Sequence, residues 1–123
     1  MTFGDLTPIA PLAAILGLIL IVGANYKERL RTVEVDGETH TYVQQHVFGK
    51  KRSECSINSQ LYYDGKGTAY EPDGSVSGIY YYKDGYRTGE WLTYETSGEV
   101  IEKKLYDKGR LITVSTFAVD KIS

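Results

Sequence analysis

With only one cysteine, Cys55, the chain cannot close an intramolecular disulfide, and the usual cysteine-based zinc arrangements are excluded. Any fold must therefore hold by packing. Basic residues are not in surplus, with 14 Lys and Arg against 16 Asp and Glu and a formal net charge of -2. That balance argues against a nucleic-acid partner, which needs a strongly basic face. Proline, phenylalanine and tryptophan are scarce, at 3, 3 and 1, whereas tyrosine and glycine number 11 and 13. Tyrosine suits half-buried sheet positions and glycine supplies the positive φ of tight turns, so the composition favours short strands joined by hairpins.

Charge is also missing from Leu6 to Tyr26. As a helix those 21 residues would extend ~30 Å, the thickness of a bilayer's hydrocarbon core, with Pro8 and Pro11 near its start where a missing amide hydrogen costs little. The expectation is a transmembrane helix within an anchor and juxtamembrane segment over 1–32. A cleaved secretory signal ending at Val22-Gly23-Ala24 competes with it, although Met1 to Asp5 lacks the basic residue of a signal sequence. A buried soluble helix is a third option, weakened by apolar residues all around its circumference. Lys27, Arg29 and Arg31 follow the span while Asp5 alone precedes it, which by the positive-inside rule places the rest in the cytoplasm, at the bacterial inner membrane. The same three cations would then face lipid headgroups.

The remainder, 33–123, reads as one β-domain. Val33 to Val35, Asp36-Gly37 and Thr39 to Phe48 give strand, turn, strand. Gly49 to Glu54 reads as a charged turn, and Cys55 to Tyr63 as the returning strand. Lys50, Lys51 and Arg52 are the compact basic triplet of that turn, a second candidate for anionic headgroups beside the reading as an ordinary solvated turn. His40 and His46 share a face of a regular strand, but six residues separate them by roughly 20 Å, too far to hold one metal ion with Cys55.

From Gly65 to Gly109 the sequence repeats at a spacing of 24: Gly65, Tyr70, Glu71, Gly74, Val76, Tyr82 and Gly85 recur as Gly89, Tyr94, Glu95, Gly98, Val100, Tyr106 and Gly109. Turn signals at Asp64-Gly65, Asp73-Gly74, Asp84-Gly85, Ser97-Gly98 and Lys108-Gly109 separate short runs rich in Tyr, Val, Ile and Thr. Each unit reads as one hairpin, and consecutive hairpins make an antiparallel β-meander. The run Gly89-Glu90-Trp91-Leu92-Thr93-Tyr94 with Gly98, then Tyr106-Asp107-Lys108-Gly109, resembles the variant MORN repeat of bacterial antitoxin-component proteins, the YwqK-like family, over 62–111. The first copy departs from that pattern, with Gly67 where Trp91 stands in the second. The resemblance implies an open β-meander used for protein or membrane contact.

Alternation independently puts Tyr80 and Tyr82 on one face and Tyr81 on the other, so aromatics occupy both. Trp91, Tyr81, Tyr86 and Tyr63 are the candidate partner contacts, since Tyr and Trp often supply interface hot spots. Tyrosines at repeat positions are read instead as packing on one another. No phosphate loop, Gly-x-Ser-x-Gly or His-Glu-x-x-His motif occurs. Glu71 and Glu95 recur with the repeat as turn or cross-strand residues do, which disfavours a carboxylate pair for catalysis. The sequence thus points to a non-enzymatic membrane-anchored interaction module, an accessory subunit among other membrane-complex subunits, with no cofactor, metal or small-molecule substrate. The alternative is an antitoxin-like or secreted binding module with a cleaved signal.

Overall fold

The computed structural model describes residues 8–10, 20–21 and 25–118. Among them the strands are β1 (Leu20–Ile21), β2 (Tyr26–Val35), β3 (Glu38–Val47), β4 (Lys50–Ile57), β5 (Tyr63–Tyr70), β6 (Val76–Lys83), β7 (Tyr86–Tyr94), β8 (Val100–Asp107) and β9 (Arg110–Thr116). They form one nine-stranded sheet in sequence order, each strand antiparallel to the next. The expected β-meander is the observed architecture.

Turn chemistry explains the order. Asp36-Gly37, Phe48-Gly49, Asp84-Gly85 and Lys108-Gly109 each place both residues at positive φ, between 49° and 87°. This is the two-residue turn whose twist matches that of its flanking strands. The connections at 71–75 and 95–99 are instead five residues long. Gly74 donates to the Glu71 carbonyl at 2.9 Å and Gly98 to that of Glu95 at 2.8 Å, and both glycines sit at left-handed φ, 93° and 94°.

The 24-residue sequence repeat is therefore a repeat of geometry. Gly65 pairs with Tyr82 as Gly89 pairs with Tyr106. Bulges interrupt the ladder after Ala69 and again after Thr93. The turn amide of Gly85 reaches the Tyr63 carbonyl at 2.7 Å, and that of Gly109 reaches Arg87 at 2.9 Å.

Three expectations change. Residues 50–54 are not a turn but the first part of β4, and the irregular connection falls later, at 58–62. Asn58 closes that connection, its amide donating to the Tyr62 carbonyl at 2.9 Å while its side-chain oxygen accepts from the Gln60 and Tyr62 amides. Meander pairing also begins earlier than Val33, at Tyr26, so Lys27, Arg29 and Arg31 are strand residues. The expected helix over 6–26 lies largely outside the described residues. Where that span is described, Leu20–Ile21 pairs with β2 as a strand, and Ile9 bridges the sheet, its amide to the Gly85 carbonyl at 2.8 Å and its carbonyl to the Tyr63 amide at 3.0 Å. Among the described residues no helix is long and apolar enough to cross a membrane.

Among the described residues only Val43 and Cys55 are fully buried hydrophobics, at 1% and 2% exposure, and they are direct partners across β3 and β4. Glu28 is buried beside them, at 1%. Cohesion elsewhere comes from the ladder and from side chains lying along the two faces.

Candidate interaction surfaces

Directly opposed residues put their side chains on the same face of a sheet. Glu28, Gln45 and Ser53 in one row, and Val43, Cys55, Gly67 and Tyr80 in the next, therefore share a face. On it runs an aromatic ladder. Tyr63 stacks on Tyr82 at 5.1 Å, Tyr82 and Tyr80 both meet Trp91 at 5.2 and 5.1 Å, and Trp91 meets Tyr106 at 5.1 Å. The guanidinium of Arg87 covers Trp91 and Tyr106 at 5.4 and 5.7 Å. Each such aromatic pair adds ~0.5–1.5 kcal/mol beyond its burial. Trp91 is further fixed by its indole N–H, which donates to the carbonyls of Tyr81 and Thr88 at 3.0 and 3.2 Å.

The ladder leads into a polar cluster around the Glu28 carboxylate, which accepts from the Tyr26 hydroxyl at 2.9 Å and from Gln45 Nε2 at 2.8 Å. Gln45 Oε1 accepts in turn from Ser53 at 2.6 Å. Burial first, and the nearby Glu28 carboxylate second, push the phenol of Tyr63 above the ordinary tyrosine range. Burial, reinforced by Asp64, pushes the Cys55 thiol up to about 12.

The opposite face is charged. Lys27, His46 and Lys51 lie in one row across β2, β3 and β4, and Arg29, Gln44 and Glu54 in the next. Glu54 accepts from Arg31 and from Gln44, each at 2.7 Å, and lies 3.5 Å from Lys51. Burial raises the Glu54 carboxyl, but these hydrogen bonds and cations outweigh it and leave the group below the usual carboxylate range. His46 is held below the ordinary histidine value by burial and then by Arg29, Lys51 and Lys27. Its Nδ1 is buried without a hydrogen-bond partner among the described residues.

The six cations expected at headgroups are thus divided. Lys27, Arg29, Arg31 and Lys51 share the charged face, where Arg31 also lies 5.0 Å above the Tyr42 ring. Lys50 pairs with Val47 and belongs to the other side. Arg52 is tied to β5, donating to the Tyr70 carbonyl at 2.8 Å. Of the four aromatic partner candidates, Trp91 and Tyr63 lie within the ladder. Tyr81 is 38% exposed on the charged face, and Tyr86 lines a shallow depression with Lys83, Thr88 and Lys108. Cys55 sits opposite Val43, on the other face from His40 and His46, so those three side chains do not converge.

Two features escape the sequence reading. Phe48, at the tip of the β3–β4 hairpin, is 73% exposed with φ 51°. Its position before Gly49 was the available signal, for a two-residue turn ordinarily carries Asn, Asp or Gly there. The other is the free edge of β9, whose seven residues are all exposed, including Leu111, Ile112 and Val114. Phe117 donates inward to the Ile101 carbonyl at 2.9 Å, so by alternation the amide of Val114 points away from β8. Searches against protein-family models, curated proteins and solved structures return no match for the chain.

Proposed function

We propose that this chain is a non-enzymatic protein-interaction module, a small accessory subunit of a larger bacterial membrane complex, which docks a partner's extended segment along β9. One observation carries this reading: β9 is a fully exposed edge strand, three of whose seven side chains are apolar, paired among the described residues with β8 alone. Such an edge offers a row of backbone donors and acceptors to an incoming strand, while Leu111, Ile112 and Val114 offer apolar contact. Tyr81 and Tyr86 offer further contact on the charged face, while Trp91 and Tyr63 stiffen the sheet from within the ladder. Membrane placement, with the sheet on the cytoplasmic side, rests on the uncharged run from Leu6 to Tyr26 and the cations that follow it. The likeness of the 24-residue unit to the variant MORN repeat supports an open scaffold for contacts.

A second reading keeps the same interaction module but lets the apolar run stay on the domain without spanning a bilayer. The hydrogen bonds of Ile9 to Gly85 and Tyr63 favour it. Alkaline carbonate extraction of native membranes separates the two, since a spanning protein stays in the pellet and a peripheral one is released.

The docking itself is tested with Val114→Pro. Because the Val114 amide faces outward, proline there leaves the β8–β9 ladder intact and blocks addition of a further strand. The expected result is an unchanged melting temperature and loss of a higher-mass species on native gels after mild detergent. A wild-type chain running as a lone 13.8 kDa monomer would overturn the proposal.

A further inference from the structure

The corner of the sheet around Phe48 is not accounted for by edge docking. Residue 48 opens a two-residue turn at φ 51°, where a bulky side chain costs on the order of 1 kcal/mol that Asn or Gly would avoid. The ring gains little in return from the fold, being 73% exposed. A shallow depression of about 400 Å³ lies beside it, lined by Asn25, Lys27, His46, Phe48 and Gly49, none of them acidic. Lys50 and Lys51 begin the next strand and line a neighbouring depression with Asp73, where Lys51 is taken up by Glu54 at 3.5 Å and the Tyr70 ring at 4.9 Å and Lys50 is left for the tip. The Phe48 amide donates to the Asn25 carbonyl at 2.7 Å, so this tip adjoins the point where the uncharged run from Leu6 to Tyr26 meets the sheet.

We propose that the β3–β4 hairpin tip docks on an anionic bilayer surface, Phe48 entering the interfacial layer while Lys27 on one face and Lys50 on the other meet the lipid phosphates. An apolar wedge ringed by cations is the combination that interfacial membrane binding uses. An acidic protein patch would be matched by the cations but not by a ring held at the apex. The contact deepens the membrane part of the proposed function and is independent of β9. It holds whether the apolar run spans the bilayer or stays on the domain.

The test uses the full chain carrying Phe48→Trp, with wild type supplying the emission of Trp91 alone. In vesicles of phosphatidylcholine and phosphatidylglycerol with brominated acyl chains, the added emission should shift to the blue and be quenched. Lys27→Gln with Lys50→Gln should weaken vesicle affinity by about 25-fold, at roughly fivefold per charge. Phe48→Asn should keep the turn, since asparagine tolerates left-handed φ, and should lose affinity without lowering the melting temperature. Unshifted, unquenched emission from the introduced indole in vesicle-bound protein overturns the proposal, as does wild-type affinity in Phe48→Asn. Displacement by inorganic phosphate, but not by sodium chloride at the same ionic strength, would also overturn it, in favour of a site for soluble anions. Val114→Pro should leave the quenching unchanged, so failure of edge docking and failure of this contact are read separately.

Discussion

The ring of Tyr80 occupies the space that a side chain at Gly67 would need, so that a Cβ built on Gly67 collides with Cε2, Cζ and Cδ2 of that ring. The two residues face each other across β5 and β6. In the second repeat copy their counterparts are Trp91 and Lys104, again directly opposed. The large aromatic has changed strands. Trp91 consequently lies 5.1 Å from Tyr80 and joins the two hairpins into one ladder. The departure of the first copy from the repeat pattern is thus what lets consecutive units interlock.

Gly67→Ala should lower stability by about 1–3 kcal/mol through overpacking, although alanine ordinarily improves a strand. In a Tyr80→Ala background the same substitution should cost little. Urea unfolding of the four proteins gives the coupling. Additive costs would show that the ring does not depend on Gly67.

Gly85 and Gly37 occupy equivalent turns at φ 87° and 79°, but only Gly85 is crowded, by Pro8 and Ile9, with Ile9 N at 2.8 Å from a built Cβ. Gly37→Ala should cost ~1 kcal/mol from backbone strain alone. Gly85→Ala should add a further ~1–3 kcal/mol, because the segment at 8–10 must move. Equal costs in thermal melts would mean that this segment does not dock on the turn.

Stability should fall on the alkaline side. Burial raises Cys55 to about 12 and holds Tyr63, Tyr80 and Tyr82 above their ordinary value. The folded state therefore keeps protons that the unfolded chain releases, so this stabilisation is complete below pH ~9 and declines as pH rises through 9 to 12. Denaturant midpoints across that window check the slope. Native Cys55 should react with a disulfide reagent only at the rate of opening.

Glu54 governs the acid side. Its folded value is depressed, so the unfolded chain takes up the proton first, and the stabilisation present above pH ~4.5 is lost as pH falls. Glu54→Gln should cost about 1–2 kcal/mol at neutral pH, since Arg31 and Lys51 lose their shared partner and both are partly solvated. The variant should also show a flatter acid limb. An unchanged acid limb in urea titrations would remove Glu54 from that role.

The meander was legible in the sequence because dipeptides such as Asp36-Gly37, Asp84-Gly85 and Lys108-Gly109 encode their turns locally through positive φ. The 24-residue spacing carried the repeat for the same reason, each copy bringing its own glycines. The first part of β4 was not legible. Alternation becomes visible when one face is apolar, and Lys50 to Glu54 place cations, serine and a carboxylate along a sheet with few buried positions. The pairing of Leu20–Ile21 with β2 was hidden likewise, because an uncharged run reads the same whether it is a helix or a strand.

What the sequence alone determined is therefore the antiparallel hairpin order, the absence of a covalent staple and the surplus of aromatic side chains available to the sheet. Only the tertiary structure decided which groups meet: Tyr80 over Gly67, Lys27 beside His46 and Lys51, Phe48 at an open corner, and β9 at the edge. The physical reason is register. A tight turn fixes its own strands, but bulges within the ladder decide which distant residues share a row and a face.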